Sequence, residues 1–193
     1  AYHAMFTDLT DAINVMTVYV TENPNNRTMA KYDKVYDGDF EKWVKFANSL
    51  KLRMAIRIRF ADREYARQMA EEAINHSIGV ITSNEDNATS LGTKNQLYTV
   101  LVQWPDQCVS ADITSYMKGY NDPRMSKYFK KKTSDKGDDD YVGMRAGLSY
   151  GNDITGPTFS RINVGEMDRT LWMSAAETAF NKAEAAMLSL IHI

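Results

Sequence analysis

The stretch that most constrains this chain is Tyr36–Arg59, YDGDFEKWVKFANSLKLRMAIRIR. A turn signal, Asp37-Gly38-Asp39, runs straight into helical periodicity. Trp43, Phe46, Ala47, Leu50, Met54 and Ile58 recur at steps of three or four and make one apolar stripe. Val44, Leu52 and Ile56 widen it, which predicts a helix buried on more than one side. Lys45, Lys51, Arg53, Arg57 and Arg59 fall between the apolar positions, where their charged ends can reach water or carboxylates on neighbouring helices. Such a helix belongs in the core of a mainly α protein.

The rest of the chain divides into a helical part and a loop-rich part. Tyr2–Val20 reads as a helix with Met5, Leu9, Ala12, Ile13, Met16 and Val20 on its inner face, ended by Asn23-Pro24-Asn25-Asn26. Met29–Asp39 is a connector, and the helix of the opening stretch runs from Phe40 to about Phe60. A further helix is expected over Asp62–Asn75, with Asp62 as N-cap. These two would form an αα-hairpin, the unit of tetratricopeptide-like stacks, although no tetratricopeptide consensus repeats here. Beyond Ser77 the periodicity fades. Leu97–Val102 suits a strand or buried extended segment, Ser110–Met117 a short capped helix, and Asn121-Asp122-Pro123-Arg124 a turn with Pro123 opening a short helix that ends near Phe129. Lys130–Asp140 reads as a mobile surface loop, Tyr141–Glu166 as long ordered loops, and Leu171–Met187 as a last, Ala-rich helix.

Composition narrows the function classes. One domain or part of one fits 193 residues, and the net charge of −2 gives no electrostatic case for nucleic acid or an anionic membrane surface. Cys108 is the only cysteine, which excludes an internal disulfide or a cysteine-based zinc site. No stretch approaches the length of a membrane-spanning helix, and no signal peptide is visible in the sequence. The sequence enters in mid-helix without an initiator Met, so residues 1–187 read as a partial domain. Leu188–Ile193 breaks the preceding helical pattern and coincides with the translation of a transposon adapter, so these residues are expected to be non-native read-through.

Five segments, in order, carry a family resemblance: AYHAMFTDLTDAINVM, GDFEKWVKFANSLKLRMAIR, GYNDPRMSKYF, YVGMRAG and LWMSAAETAFNKAEAA. Together they resemble the SusD/RagB family, in its SusD-like 2 branch, over Ala1 to about Met187. The resemblance implies a mainly α fold of stacked tetratricopeptide-like hairpins carrying long, irregular ligand-binding loops. It implies a non-catalytic surface lipoprotein of Bacteroidota that captures an oligosaccharide or other nutrient and passes it to a SusC-like TonB-dependent transporter in the outer membrane. A lipoprotein signal and acylated cysteine would lie upstream. Ligand contacts vary between members of the family, so no binding residue follows from the resemblance itself.

The residues give little support to catalysis. His3, His76 and His192 are scattered, and no Gly-x-Ser-x-Gly elbow or phosphate-binding loop is present. No metal and no cofactor is expected. Asp138, Asp139 and Asp140 do not match a calcium loop and read as a solvated acidic turn; nor do they make a glycosidase pair with Glu166. Cys108 fits a small, buried apolar role. Aromatics are the better lead, because sugars stack flat C–H faces on Trp and Tyr while their hydroxyls seek amides, carboxylates and Arg. The loop-rich half supplies both sets. Trp104, Tyr98, Tyr141, Tyr150, Arg145 and Asn152 are the expected ligand-binding residues, with Asn95, Gln103 and Asp106 as further polar groups. Trp43 and Trp172 stand at helical spacing among core residues and are assigned to packing. The competing functional class is a helical protein-interaction scaffold without a working glycan site; a surface hydrolase is a third.

Overall fold

The computed structural model describes residues 1–90, 92–104, 107–132, 140–147, 149 and 158–192. In chain order the helices are α1 (Tyr2–Glu22), α2 (Phe40–Ile58), α3 (Arg63–Asn75), α4 (Gln96–Tyr98), α5 (Ala111–Gly119), α6 (Met125–Tyr128) and α7 (Ala175–Met187). The strands are short: β1 (Ala88–Thr89), β2 (Phe129–Lys130), β3 (Arg161–Ile162) and β4 (Leu171–Met173). The chain forms two units, one of residues 1–92 with 169–193 and one of residues 93–168.

Caps set the helices of the first unit. The carboxylate of Asp39 accepts the Lys42 backbone N–H at 3.2 Å, and that of Asp62 accepts the Tyr65 N–H at 3.2 Å. Each satisfies a donor that the first helical turn leaves unpaired. Residues 59–62 join α2 to α3, a link short enough to make the helices antiparallel neighbours, so the expected hairpin forms. α2 is the central element and packs against α1, α3 and α7. Its widened face is indeed buried: Leu52, Ala55 and Ile56 meet Phe6 of α1, and Ala66, Met69 and Ala73 of α3. The small side chains of α3 let the two backbones approach closely, and burying a Leu or Phe here stabilises the fold by about 1.5–3 kcal/mol per side chain. Leu190 and Ile191 are buried in the same cluster.

The basic residues of α2 reach carboxylates, as their spacing suggests. Lys51 Nζ lies 2.6 Å from Glu72 of α3 with only 4% of its side chain exposed. Arg53 and Arg59 pair with Glu177 and Glu184 of α7 at 2.9 and 3.6 Å. One expectation for this unit fails. The last helix begins at Ala175, capped by Ser174, and Leu171–Met173 is a strand that pairs antiparallel with β1, Met173 opposite Ala88. That pairing joins segments far apart in the chain, so it overrides a local helical reading.

The second unit is built from short elements and loops. The side chain of Ser110 accepts the Asp112 N–H at 3.2 Å and starts α5 as expected. α6 begins at Met125, so Pro123 lies in the turn before it rather than at its first position. Leu97–Val102 is not extended: α4 continues into a π-helical turn over Thr99–Gln103. Asn95 causes this, because its side-chain oxygen accepts the Leu97 N–H at 2.8 Å and starts a helix inside a β-favouring run. β2 pairs antiparallel with β3, and Ser110 bridges Met144 in parallel. Val109, Met117, Met125 and Phe129 form the small core, with Tyr141 and Ile162 packed on it.

Candidate functional site

The expected ligand-binding residues fall in the second unit but have different surroundings. Trp104 caps the π-helical turn through its backbone N–H, which donates to Thr99 O at 2.9 Å, and the residue is 59% exposed. Tyr98, at the other end of that turn, is half-buried, with Lys94 Nζ 6.0 Å from its ring centre. Lys94 also donates to the Gln103 side chain at 3.3 Å and pairs with Glu166 at 2.8 Å. Tyr141 packs against the small core under Lys131, while Arg145 is exposed. Tyr150, Asn152 and Asp106 lie outside the described residues. Asn95 is buried and fully engaged: its amide donates to Asp168 O at 3.1 Å, and its backbone N–H to Glu166 O at 2.8 Å.

The acidic groups of this unit are held by local cations. Asp140 receives Lys118 Nζ at 2.5 Å, and hydrogen bonds from Lys118 and the Tyr141 N–H hold its carboxyl below the usual carboxylate range. Asp138 and Asp139 lie outside the described residues. Asp122 faces Arg124, whose guanidinium and backbone N–H pull its pKa down to about 2. Among the described residues no three His, Cys, Asp or Glu side chains gather as a metal site. Cys108 is half-buried beside a cavity of about 50 Å³ that it lines with Leu101, Gln107 and Ile162. Burial pushes its thiol up, with Arg161 opposing.

The first unit holds a second arrangement that the sequence reading treated as connector and core. Asp33 organises it. Its carboxylate accepts the backbone N–H groups of Val35, Tyr36 and Gly38 at 2.9, 3.3 and 2.8 Å, and the indole N–H of Trp43 at 2.8 Å. Burial alone would raise its pKa, but these donors outweigh it and keep the carboxylate charged. Gly38 is needed here: its φ is +75°, and a Cβ would meet the Ala30 backbone nitrogen at 2.8 Å. Tyr36 donates its hydroxyl to Asp86 O at 2.9 Å, while Lys45 pairs with the Asp86 carboxylate at 3.2 Å. The turn therefore joins α2 to the loop before β1.

Around this clamp lies an open groove of about 410 Å³. Met29, Tyr32, Lys34, Phe40, Trp43 and Trp172 line it together with the Asp33–Val35 turn. Trp172 sits on a strand and is 47% exposed, so the assignment of this residue to a helical core is corrected. Trp43 is half-buried on α2. A local signal for the groove existed in the three aromatics Tyr32, Tyr36 and Trp43 around a Gly-Asp turn, but Trp172 arrives only through strand pairing.

Comparison with known proteins places this architecture. A family profile described as SusD-like, Susd and RagB outer membrane lipoprotein, matches residues 1–192. The chain belongs to the SusD-like family. A SusD homologue from Bacteroides thetaiotaomicron matches this SusD-like chain with 35% identity and a TM-score of 0.86, over 98% of this chain and 40% of its own. One from Bacteroides uniformis matches with 41% identity and a TM-score of 0.80, over 96% and 38%. A chitin-binding SusD homologue from Flavobacterium johnsoniae matches with 33% identity and a TM-score of 0.84, over 97% and 39%. This SusD-like chain thus spans about two-fifths of the length of those structures. Comparison with curated proteins finds no match. The mainly α fold expected from the sequence is the fold these SusD homologues share.

Proposed function

We propose that this chain is part of a non-catalytic, lipid-anchored protein of the outer-membrane surface that binds an oligosaccharide and delivers it to a SusC-like TonB-dependent transporter. One observation carries the reading: the SusD-like match covers residues 1–192, and a solved relative of the same fold is chitin-binding. Among the described residues no helix is long and apolar enough to cross a membrane, and a lipid anchor would supply the attachment that the family description names. Trp104, Tyr98, Tyr141 and Tyr150 would stack on sugar faces, with Arg145 and Asn152 bonding hydroxyls. The exposed ring of Trp104 suits that role best. Binding of this kind makes and breaks no bond, so its specificity comes from stacking and hydrogen bonds.

The test is calorimetric titration of the full-length gene product with chitohexaose, cellohexaose, xylohexaose and maltohexaose, alongside an assay for new reducing ends. Saturable binding without product is expected, with Trp104→Ala weakening it about threefold to tenfold. Product formation would overturn the non-catalytic reading. The scaffold alternative draws on exposed apolar side chains, Val15 and Val18 on α1 and Phe180 and Met187 on α7, which a second polypeptide could cover. A stable complex with the transporter encoded beside the gene, without binding to any of the four sugars, would favour it.

A further inference from the structure

The groove of the helical unit has the chemistry of a sugar-binding surface and lies outside the residues assigned above. We propose that the groove lined by Tyr32, Trp43 and Trp172 is a second carbohydrate contact, taking pyranose units of an oligosaccharide on its aromatic faces. The inference rests on the glycan-binding reading and adds a place where that glycan is held.

Three features support it. The first is rigidity. Trp43 donates its N–H to Asp33 at 2.8 Å, and the rings of Tyr36 and Phe46 hold it with centres 5.5 and 5.9 Å away. Its orientation is fixed before a ligand arrives, so little ordering cost remains on binding. The second is exposure. Tyr32 is 69% and Trp172 47% exposed, although both are large rings that burial would favour. The β1–β4 register shifts at Trp172, between the Met173–Ala88 and Leu171–Thr89 pairs, and this extra residue is exposed while Met173 is fully buried. The third is the mixture of groups. Lys34 lines the same wall and pairs with no carboxylate among the described residues. Lys34 is exposed at the rim of the groove, where its ammonium can donate to sugar hydroxyls. The volume, about 410 Å³, lies within the usual range for small-ligand sites.

The experiment uses the full-length protein and the same four hexasaccharides. Tyr32→Ala and Trp172→Ala remove ring faces from exposed positions; Trp43 is left intact because it also anchors the turn. Each variant is expected to keep the wild-type circular dichroism and melting profile and to bind about threefold to tenfold more weakly. As a second readout, 3-fluorotyrosine is placed at Tyr32, and its fluorine resonance is expected to move on titration. Unchanged affinity with an unmoved resonance, in a protein that does bind one of the sugars, would overturn the groove while leaving the glycan-binding reading intact. A groove already filled by another stretch of polypeptide would give this second result. Failure of the unaltered protein to bind any of the sugars would overturn both.

Discussion

The helical unit and the loop-rich unit solve the same problem, holding irregular chain in place, by different means. In the helical unit, charged side chains reach into the interior: Lys51 meets Glu72, Asp33 gathers four donors, and Lys45 meets Asp86. In the loop-rich unit the ion pairs stay at the surface, Lys118–Asp140 with 42% and 56% of the side chains exposed and Lys94–Glu166 with 39% and 50%. There the chain is held by backbone hydrogen bonds, such as Val109 N–H to Ser160 O and Met144 N–H to Val109 O. Backbone bonds constrain the path of a loop without constraining most of its side chains. The loop-rich unit can therefore present exposed groups such as Trp104 and Arg145 without disturbing its frame.

The largest effect should come from the core of the helical unit. Leu52 is fully buried at the meeting of α1, α2 and α3. Leu52→Ala should lower stability by about 2–5 kcal/mol, because tightly packed helices relax little into the space left behind. Met117→Ala, in the smaller cluster, should fall near the lower end of that range, since the loops around it can move in. Hydrogen exchange followed separately over residues 1–90 and 107–132 measures both. Equal losses in the two units would remove the distinction between a packed and a yielding core.

Next comes the backbone of the loop-rich unit. A Cβ at Gly143 would overlap the carbonyl of Ser110 and the hydroxyl of Thr114. Backbone cannot swing away as a side-chain tip can, so Gly143→Ala should cost about 1–3 kcal/mol and expose the Met144 and Ala111 amides to exchange. Gly79→Ala makes a useful contrast: a Cβ there meets nothing within 4 Å, and only its φ of +80° opposes the change.

These comparisons show where the sequence was informative. α2, α3 and α5 were legible because periodicity and caps agree: Asp39, Asp62 and Ser110 each sit one residue before a helix and each accepts a backbone N–H, whereas α1, preceded by Ala1 without a side-chain cap, was legible from periodicity alone. The family was legible for a related reason, since its longest matching segment is the turn, cap and core face of α2. What local pattern could not show is long-range pairing. Trp172 lies on a strand, and not on the last helix, because Met173 pairs with Ala88, a partner far away in the chain. Leu97–Val102 carries strand-forming residues, and only the Asn95 cap, itself fixed by Asp168 and Glu166, turns it helical. Of the expected ligand residues, the local sequence found an exposed Trp104, but it could not show that Tyr141 lies on a small core.

The Lys51–Glu72 pair tests whether buried charge in the helical unit serves stability. Lys51→Met should be neutral or slightly stabilising, because an apolar side chain of similar volume removes a desolvated ammonium. Glu72→Ala leaves that ammonium buried and unpaired. With 41% of the Glu72 side chain exposed, solvent screens the loss, so about 1–2 kcal/mol is expected instead of the full buried-pair penalty. Urea unfolding of the two variants should place them on opposite sides of wild type. If Lys51→Met were the more damaging of the two, the ammonium would be contributing more than it costs.

The smallest effect concerns acid. His76 Nδ1 accepts the Ile78 N–H at 3.2 Å, and Nε2 lies 3.3 Å from Thr17 Oγ1, which itself donates to Ile13 O at 2.7 Å. The Thr17 proton is already used, so Nε2–H must be the donor, and the fold selects a neutral imidazole with its proton on Nε2. Burial and the charge of Lys51 both lower the His76 pKa from its ordinary 6.5. The unfolded chain therefore takes up a proton before the folded one does. This contribution to stability is complete above about pH 6.5 and is lost as pH falls through the folded value. Glu72 follows the same sign lower down. Burial would raise its pKa, but Lys51 and Gln68 outweigh this and lower it, so its contribution is present above its ordinary 4.5 and is lost as pH falls through the folded value. His76→Asn keeps an acceptor for Ile78 but has no proton to gain. It should flatten the stability profile as pH falls below about 6.5 while leaving the later, Glu72-dependent loss in place. A variant that still loses stability like wild type over the upper interval would mean that another group senses acid first.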